Sequence, residues 1–482
     1  MIQLRNTYSK NSDAYVLKDG SEKGKKLVKY KGDERELLIP DELDIIEIGN
    51  KAFKENHNIS KIESNTVKKI DNGTFKNCLD LKEVVFPKLK AVDEKVFWGC
   101  RNLISVNLPK VQKIGNLSFW GCANLEKVIL PNLQTIGNKV FWYCINLKSV
   151  NFPSVKIIGE DAFSACISLE NVEIPNASSI NRRAFEFCGS LKSITFPNVE
   201  IIGEKAFWAC SNLKTVNFPK LKAIGNLAFW YCTNLESVNF PKVETIGSLA
   251  FWGGSSLKNV EFPNVKSIGS DAFSACINLE KVNFPNATKI NQMAFEYCHG
   301  LKNLEFPNVE TIGEKAFWGC SNLKNVEFPK VKTIKYKTFI ACKNLTSVFF
   351  PDLQTIESLA FFECENLSIF LGSPYITQIG ENAFVKIVNQ DDMKLMPLSF
   401  DVEKYLGFKV IKSSDKLEYS YEPVKPNTEL QEKTRHSTLI SILNSLISSF
   451  SLVHLFLAIL LTASNSQDLF LIAVDIAIIL GL

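Results

Sequence analysis

At 482 residues the chain is long enough for several ordinary domains, yet one motif of fixed period fills most of it, so a single array is expected instead. Lysine and arginine total 55 against 51 acids, a near balance that gives no reason to expect a polyphosphate partner; no nucleic-acid role is read. The 13 cysteines would suggest a disulfide scaffold in a short secreted chain, but this chain can build a core without covalent staples.

Residues 1–36 are polar and lysine-rich and are expected to cap the first coil, with KYKGDERELLIP as an incomplete first strand. The opening MIQLRNTYSKNSDAYVLKDG contains no apolar h-region, so no signal peptide is expected.

The array occupies residues 37–388. Phenylalanine recurs every 22 residues from Phe53 to Phe361 and once more at Phe384, which makes 16 units. Every cysteine lies three residues after one of these phenylalanines, from Cys78 to Cys364, and Gly254 interrupts the ladder. Thirteen of the 18 prolines share one register, Pro87 to Pro351. The unit reads roughly IGxxAFWxCxNLKxVxFPxV. Within it, Ser118, Phe119, Cys122 and Leu125 fall on one face of a short helical or 3₁₀ turn, whereas Val128 and Leu130 alternate as strand residues do. Pro131 has no N–H to continue a ladder and stops the strand. Gly137 suits a tight turn back towards the next helical segment. The predicted fold is a repeat solenoid, with one short parallel strand and one helical or 3₁₀ turn per 22-residue coil and about 16 coils. A longer period lies over this one. Residues 161–185 match 271–295 at 17 of 25 positions, a displacement of 110 residues or five coils, so the array grew by copying blocks of five.

The pattern AFxxCxxLxxVxxP followed by VxxIG resembles the BspA-like leucine-rich repeats found in bacterial surface antigens and expanded in parasitic protists. The resemblance implies a parallel-stranded solenoid, a place at the cell surface, and a role in adhesion or host-matrix contact. It identifies no ligand.

Residues 389–436 read as a C-terminal cap and linker, with prolines and charges in KLEYSYEPVKPNTELQEKTRH. Residues 437–482 form a hydrophobic, membrane-anchoring tail. Its first 27 residues, STLISILNSLISSFSLVHLFLAILLTA, carry no formal charge and are long enough to span a ~30 Å hydrocarbon core as a transmembrane helix. The second run, LFLIAVDIAIILGL, is 14 residues long, contains Asp475, and reads as half of a hairpin, an interfacial segment or a processed tail. Lys433 and Arg435 precede the first run and favour a cytosolic face for the solenoid, opposite to the surface placement that the resemblance implies.

No catalytic constellation emerges. His57, His299, His436 and His454 are scattered, and no phosphate loop or zinc motif is present, so neither enzyme activity nor a cofactor is expected. Cysteines 22 apart are too widely spaced for a metal site and read as free thiols in one core layer. The sequons at Asn116 and Asn286 are expected by chance in an asparagine-rich chain.

Two surfaces remain as candidates for a protein or glycan ligand. Trp98, Trp120, Trp142, Trp208, Trp230, Trp252 and Trp318 each follow a repeating phenylalanine, and ~100° per residue in a helical turn places them on the outer, convex side. Ser164, Glu186, Ser274 and Glu296 hold that position at the intervening coils and are residue types expected in water. This stripe reads either as a shielded aromatic ladder or as an anchor for a ligand. On the strand face, the outward positions are Asn107, Asn151, Glu173, Asn217, Asn239, Glu261, Asn283, Glu305 and Glu327, read either as a solvated sheet or as a hydrogen-bonding contact surface.

Overall fold

The computed structural model describes residues 12–397 apart from 51, 373–375, 381 and 390–393; most of the expected linker and the whole apolar tail of 437–482 lie outside the described residues. Each coil contributes two short strands, where the sequence led us to expect one. In the coil of Phe97 they are Ser105–Asn107 and Lys113–Ile114, which pair in parallel with Lys127–Ile129 and Thr135–Ile136 of the next coil. The expected extended connector is thus a second ladder. Val106 and Ile114 point inward and are buried, which fixes the register of both, because a slip by one residue would turn the apolar side outward. The repeat proline ends the longer strand. Its carbonyl is used even so: the Asn132, Asn176, Asn198, Asn264, Asn286 and Asn308 side-chain amides each donate to the proline carbonyl 23 residues earlier.

The expected helical or 3₁₀ turn is present only as separate turns bonded three residues apart, and no continuous helix forms at this position in the described coils. Phe119 and Cys122 do accept bonds from the N–H groups three residues ahead, as in 3₁₀ geometry. The intervening donors point elsewhere, however: Leu117, Phe119 and Gly121 donate to Asn138, Val140 and Trp142 of the next coil at 2.9–3.0 Å. Two left-handed residues per coil turn these donors outward, for example Lys95 (φ 55°) with Gly99 (φ 73°), and Leu227 (φ 56°) with Tyr231 (φ 59°). A left-handed non-glycine residue is unfavourable by itself, but here each conformation is locked by a bond to a neighbouring coil. Coil-to-coil bonding therefore displaces helical bonding.

The repeat glycines also serve another purpose than the one expected. Gly137 does not occupy the left-handed region. It allows backbones to approach: a Cβ on Gly137 would lie 2.9 Å from the Asn116 nitrogen, and one on Gly159 would lie 2.4 Å from the Gly137 carbonyl oxygen.

Between the ladders runs the core. All 16 repeat phenylalanines are buried, and their rings form one continuous column in which Phe207 meets Phe185 at 5.3 Å and Phe229 at 5.2 Å, stacked nearly parallel to both. A second file, Phe196 to Phe350, packs beside it, as Phe207 and Phe218 do at 5.9 Å. Full burial of one such ring contributes about 2–3 kcal/mol, which a single coil could not obtain alone. At the first coil the column is closed by Tyr30, 5.3 Å from Phe53, and Tyr15 packs at 59° against Tyr30 in turn. These tyrosines belong to a hairpin within the expected cap: Tyr15–Asp19 runs antiparallel to Lys25–Tyr30, which pairs in parallel with Ile45–Ile48. At the other end Val385–Asn389 and Lys394–Pro397 form an antiparallel pair.

The cysteines add a bond that spacing alone does not show. Each thiol donates to the carbonyl of the phenylalanine 25 residues earlier, from Cys78 to Phe53 at 2.8 Å through Cys364 to Phe339 at 3.0 Å. Gly254 breaks this series opposite Phe229. A Cβ placed there would meet the Phe251 carbonyl at 3.1 Å and Cys276 Sγ at 3.6 Å, so a side chain fits with a small adjustment. Gly254→Cys is expected to stabilise the protein by about 1 kcal/mol through the restored bond, the filled space and a less flexible unfolded chain. Urea unfolding measures it, and an unchanged or lower midpoint would contradict the role given to the thiols.

Candidate functional site

The tryptophan stripe resolves into unequal parts. Trp98 and Trp120 stack at 5.1 Å, whereas Trp142 stands at 74° to Trp120 with centroids 6.0 Å apart. These three rings line an open groove of about 330 Å³ together with Leu117 and three lysines. Lys76 lies over the Trp98 ring at 3.8 Å and Lys139 over Trp142 at 4.7 Å, and Lys95 completes the rim.

The second triplet, five coils on, is closed. Tyr231 packs against Trp230 at 5.3 Å and reaches Trp252, and Trp230 itself is only 7% exposed. At the matching place in the first triplet stands Gly121, where an added Cβ would meet nothing nearer than Gly99. Trp318 is isolated from other tryptophans but packs against Tyr297 at 5.5 Å with the rings tilted at 42°. None of the seven tryptophans joins the phenylalanine core; Trp230 is buried beneath Tyr231 and Trp252, and the other six are half-buried. The covering comes from aromatic neighbours, which pack over one another across adjacent coils.

The coils between the triplets also depart from expectation. Ser164, Glu186 and Ser274 are buried at 2%, 6% and 1% exposure, and Glu296 is half-buried. Ser164 Oγ donates to Glu186 at 3.3 Å, and Ser274 to Glu296 at 3.5 Å. Burial pushes Glu186 up to about 7; Arg183 and Lys205 pull it back and Asp161 drives it further up. Glu296 is pushed up to about 7 by burial and by Asp271, which burial raises to about 6. Residue type alone indicated solvated carboxylates; their burial follows from being sandwiched between coils.

On the strand face all nine predicted outward residues are exposed: Asn107, Asn151, Glu173, Asn217, Asn239, Glu261, Asn283, Glu305 and Glu327. Several satisfy one another across coils, as Asn239 does to Asn217 at 2.8 Å and Asn151 to Glu173 at 2.7 Å. At its C-terminal end the same row changes to Phe349 and Leu371, both exposed.

All 13 cysteines are free and buried, and burial raises the thiols of those inside the array from Cys100 to Cys342, Cys276 to about 12. Native alkylation is expected to be slow and to complete only on denaturation, since the thiolate is the reactive form. Rapid labelling of most of them in the folded protein would overturn the assignment. His299 Nδ1 sits 2.8 Å from the Gly319 carbonyl, a coil-to-coil contact. Neither sequon is idle in the fold: Asn286 donates to the Pro263 carbonyl, and the Ser118 hydroxyl is buried, donating to Gly115 and Asp93. Among the described residues no helix is long and apolar enough to cross a membrane.

Known proteins place these features in context. A family model described as the BspA type leucine-rich repeat region matches residues 46–170, 156–280 and 266–391. A leucine-rich repeat protein from Bacteroides ovatus is similar in structure, with 25% identity, a TM-score of 0.56, and coverage of 75% of this chain and 100% of that one. A leucine-rich cell surface protein from Faecalibacterium prausnitzii is 23% identical with a TM-score of 0.39, covering 70% of this chain and 94% of that one. No curated protein matches the chain by sequence.

Proposed function

The chain belongs to the BspA-type leucine-rich repeat family, and from that membership we propose that it is a non-enzymatic adhesion protein that binds a protein or glycan at the cell surface, tethered by residues 437–482. One observation carries the binding role: the open groove at Trp98, Trp120 and Trp142, an apolar recess rimmed by cations, whose copy five coils on is closed by Tyr231. The exposed asparagine and glutamate row of the strand face supplies a second, extended contact surface.

The alternative is a scaffold on the cytosolic face of the membrane, favoured by Lys433 and Arg435 before the apolar run. Protease added to intact cells separates the two. Digestion of the solenoid from outside supports adhesion, and protection until lysis overturns it.

A further inference from the structure

We propose that the groove of Trp98, Trp120 and Trp142 binds an anionic carbohydrate, a chain of pyranose rings bearing carboxylate or sulfate groups. This rests on the macromolecule-binding reading above and names its ligand class. Four observations lead there.

The rim is cationic without internal compensation at two of its three lysines. Among the described residues Lys76 and Lys95 form no ion pair, and only Lys139 approaches an acid, Asp161 at 3.9 Å. Flexible ammonium groups over an apolar floor attract anions while leaving the floor available.

The lining side chains, moreover, offer donors and no acceptors. Lysine ammonium groups and indole N–H groups can only donate, and Trp120 Nε1 is buried without a hydrogen-bond partner. A ligand rich in acceptors is complementary. An acidic peptide satisfies the charge as well, with fewer acceptor oxygens per residue than a sulfated sugar ring.

Periodicity separates the two further. The groove repeats with the coils, ~4.8 Å apart, whereas an extended peptide advances ~3.3 Å per residue and places like-facing side chains ~6.6 Å apart, out of step. A pyranose unit is about as long as one coil spacing, so successive sugar rings keep step with successive coils. The corner where Trp142 stands at 74° to Trp120 presents one ring face beside one ring edge, a shape suited to the apolar C–H face of a sugar.

The fourth observation is the internal comparison. The copy of this surface five coils on has lost both properties together. Tyr231 fills the place of Gly121, Glu186 stands where Lys76 is, and Leu249 stands where Lys139 is, leaving Lys205 alone of the three lysines. The same framework thus exists in an open cationic form and a closed form with one lysine and one acid.

The purified full chain should be titrated with a heparin oligosaccharide, with maltohexaose as the neutral probe and poly-glutamate as the acidic peptide probe, following tryptophan fluorescence and calorimetry. The expected result is saturable heparin binding that weakens with salt, at least tenfold tighter than either other probe. Gly121→Tyr closes the groove while keeping every lysine, and Tyr143, Tyr231 and Tyr297 already hold the same left-handed position in other coils. It is expected to weaken heparin binding at least tenfold. The double variant Lys76→Gln, Lys95→Gln should do the same with the floor intact, and it keeps the inference testable if the tyrosine variant fails to fold. Undiminished heparin binding in either folded variant overturns the proposal, as does equal binding of maltohexaose or poly-glutamate. Should heparin fail while intact-cell digestion succeeds, only the ligand class falls; the digestion result decides the surface reading independently.

Discussion

Replacing Glu186 and Glu296 together by glutamine is expected to stabilise the protein by roughly 4 kcal/mol at pH 8 and to change little at pH 4. Both carboxyls titrate higher in the folded chain, near 7, than their ordinary 4.5. The folded state therefore holds these protons more tightly than the unfolded state. The sign follows: the contribution is fully present below about 4.5 and is lost as pH rises through about 7, so stability of the natural chain declines across that window. For Glu186, a rise from 4.5 to about 7 is worth about 3 kcal/mol. Half-buried Glu296 adds less because solvent screens it. Glutamine cannot ionise and keeps a group that Ser164 or Ser274 can reach. Thermal melts at pH 4, 6 and 8 test the claim, and parallel pH profiles for variant and natural chain would refute it. Asp161 and Asp271 titrate upward beside the two glutamates and steepen the same slope.

Phe207→Ala is expected to cost about 3–5 kcal/mol and to divide unfolding into two steps. Phe207 is fully buried, with ring neighbours before it, after it and beside it in the second file. Its removal leaves a cavity that close-packed rings on either side cannot fill. In an ordinary globular core the whole domain would absorb that loss. Here each coil contacts only its neighbours, so the loss concentrates at one interface and uncouples the coils on its two sides. Calorimetry and hydrogen exchange should show the two halves melting separately. A single shifted transition would mean that the strand ladders alone keep the array cooperative.

What the sequence discloses about this fold depends on how local each cause is. The phenylalanine, cysteine and proline registers were legible because each acts in every coil, so 16 repetitions raise the signal above the noise of any one segment. The second ladder was not, because two residues such as Lys113–Ile114 are too few to show alternation. Left-handed residues such as Lys95 and Leu227 gave no warning either, since glycine marks such positions only where local conformation decides them. Here coils above and below decide. The bond from Cys78 to the Phe53 carbonyl has the same origin, joining residues 25 apart that only stacking brings together. At the candidate groove, the tryptophans and lysines were visible as residues, but the distinction between Gly121 and Tyr231 gains meaning only once both are seen beside the rings.

The hairpin at the first coil carries a consequence for the protein in bulk. A parallel ladder leaves an unpaired row of N–H and C=O groups at its end, and stacked coils offer such a row to any similar coil that arrives. The rule that lets blocks of five be duplicated within one chain would equally let whole molecules join head to tail into an open filament. Tyr15–Asp19 reverses direction, so a coil arriving in the direction of the array would meet it antiparallel, out of the parallel register that joins one coil to the next. One reversed strand of five residues thus acts as the terminator of a potential polymer.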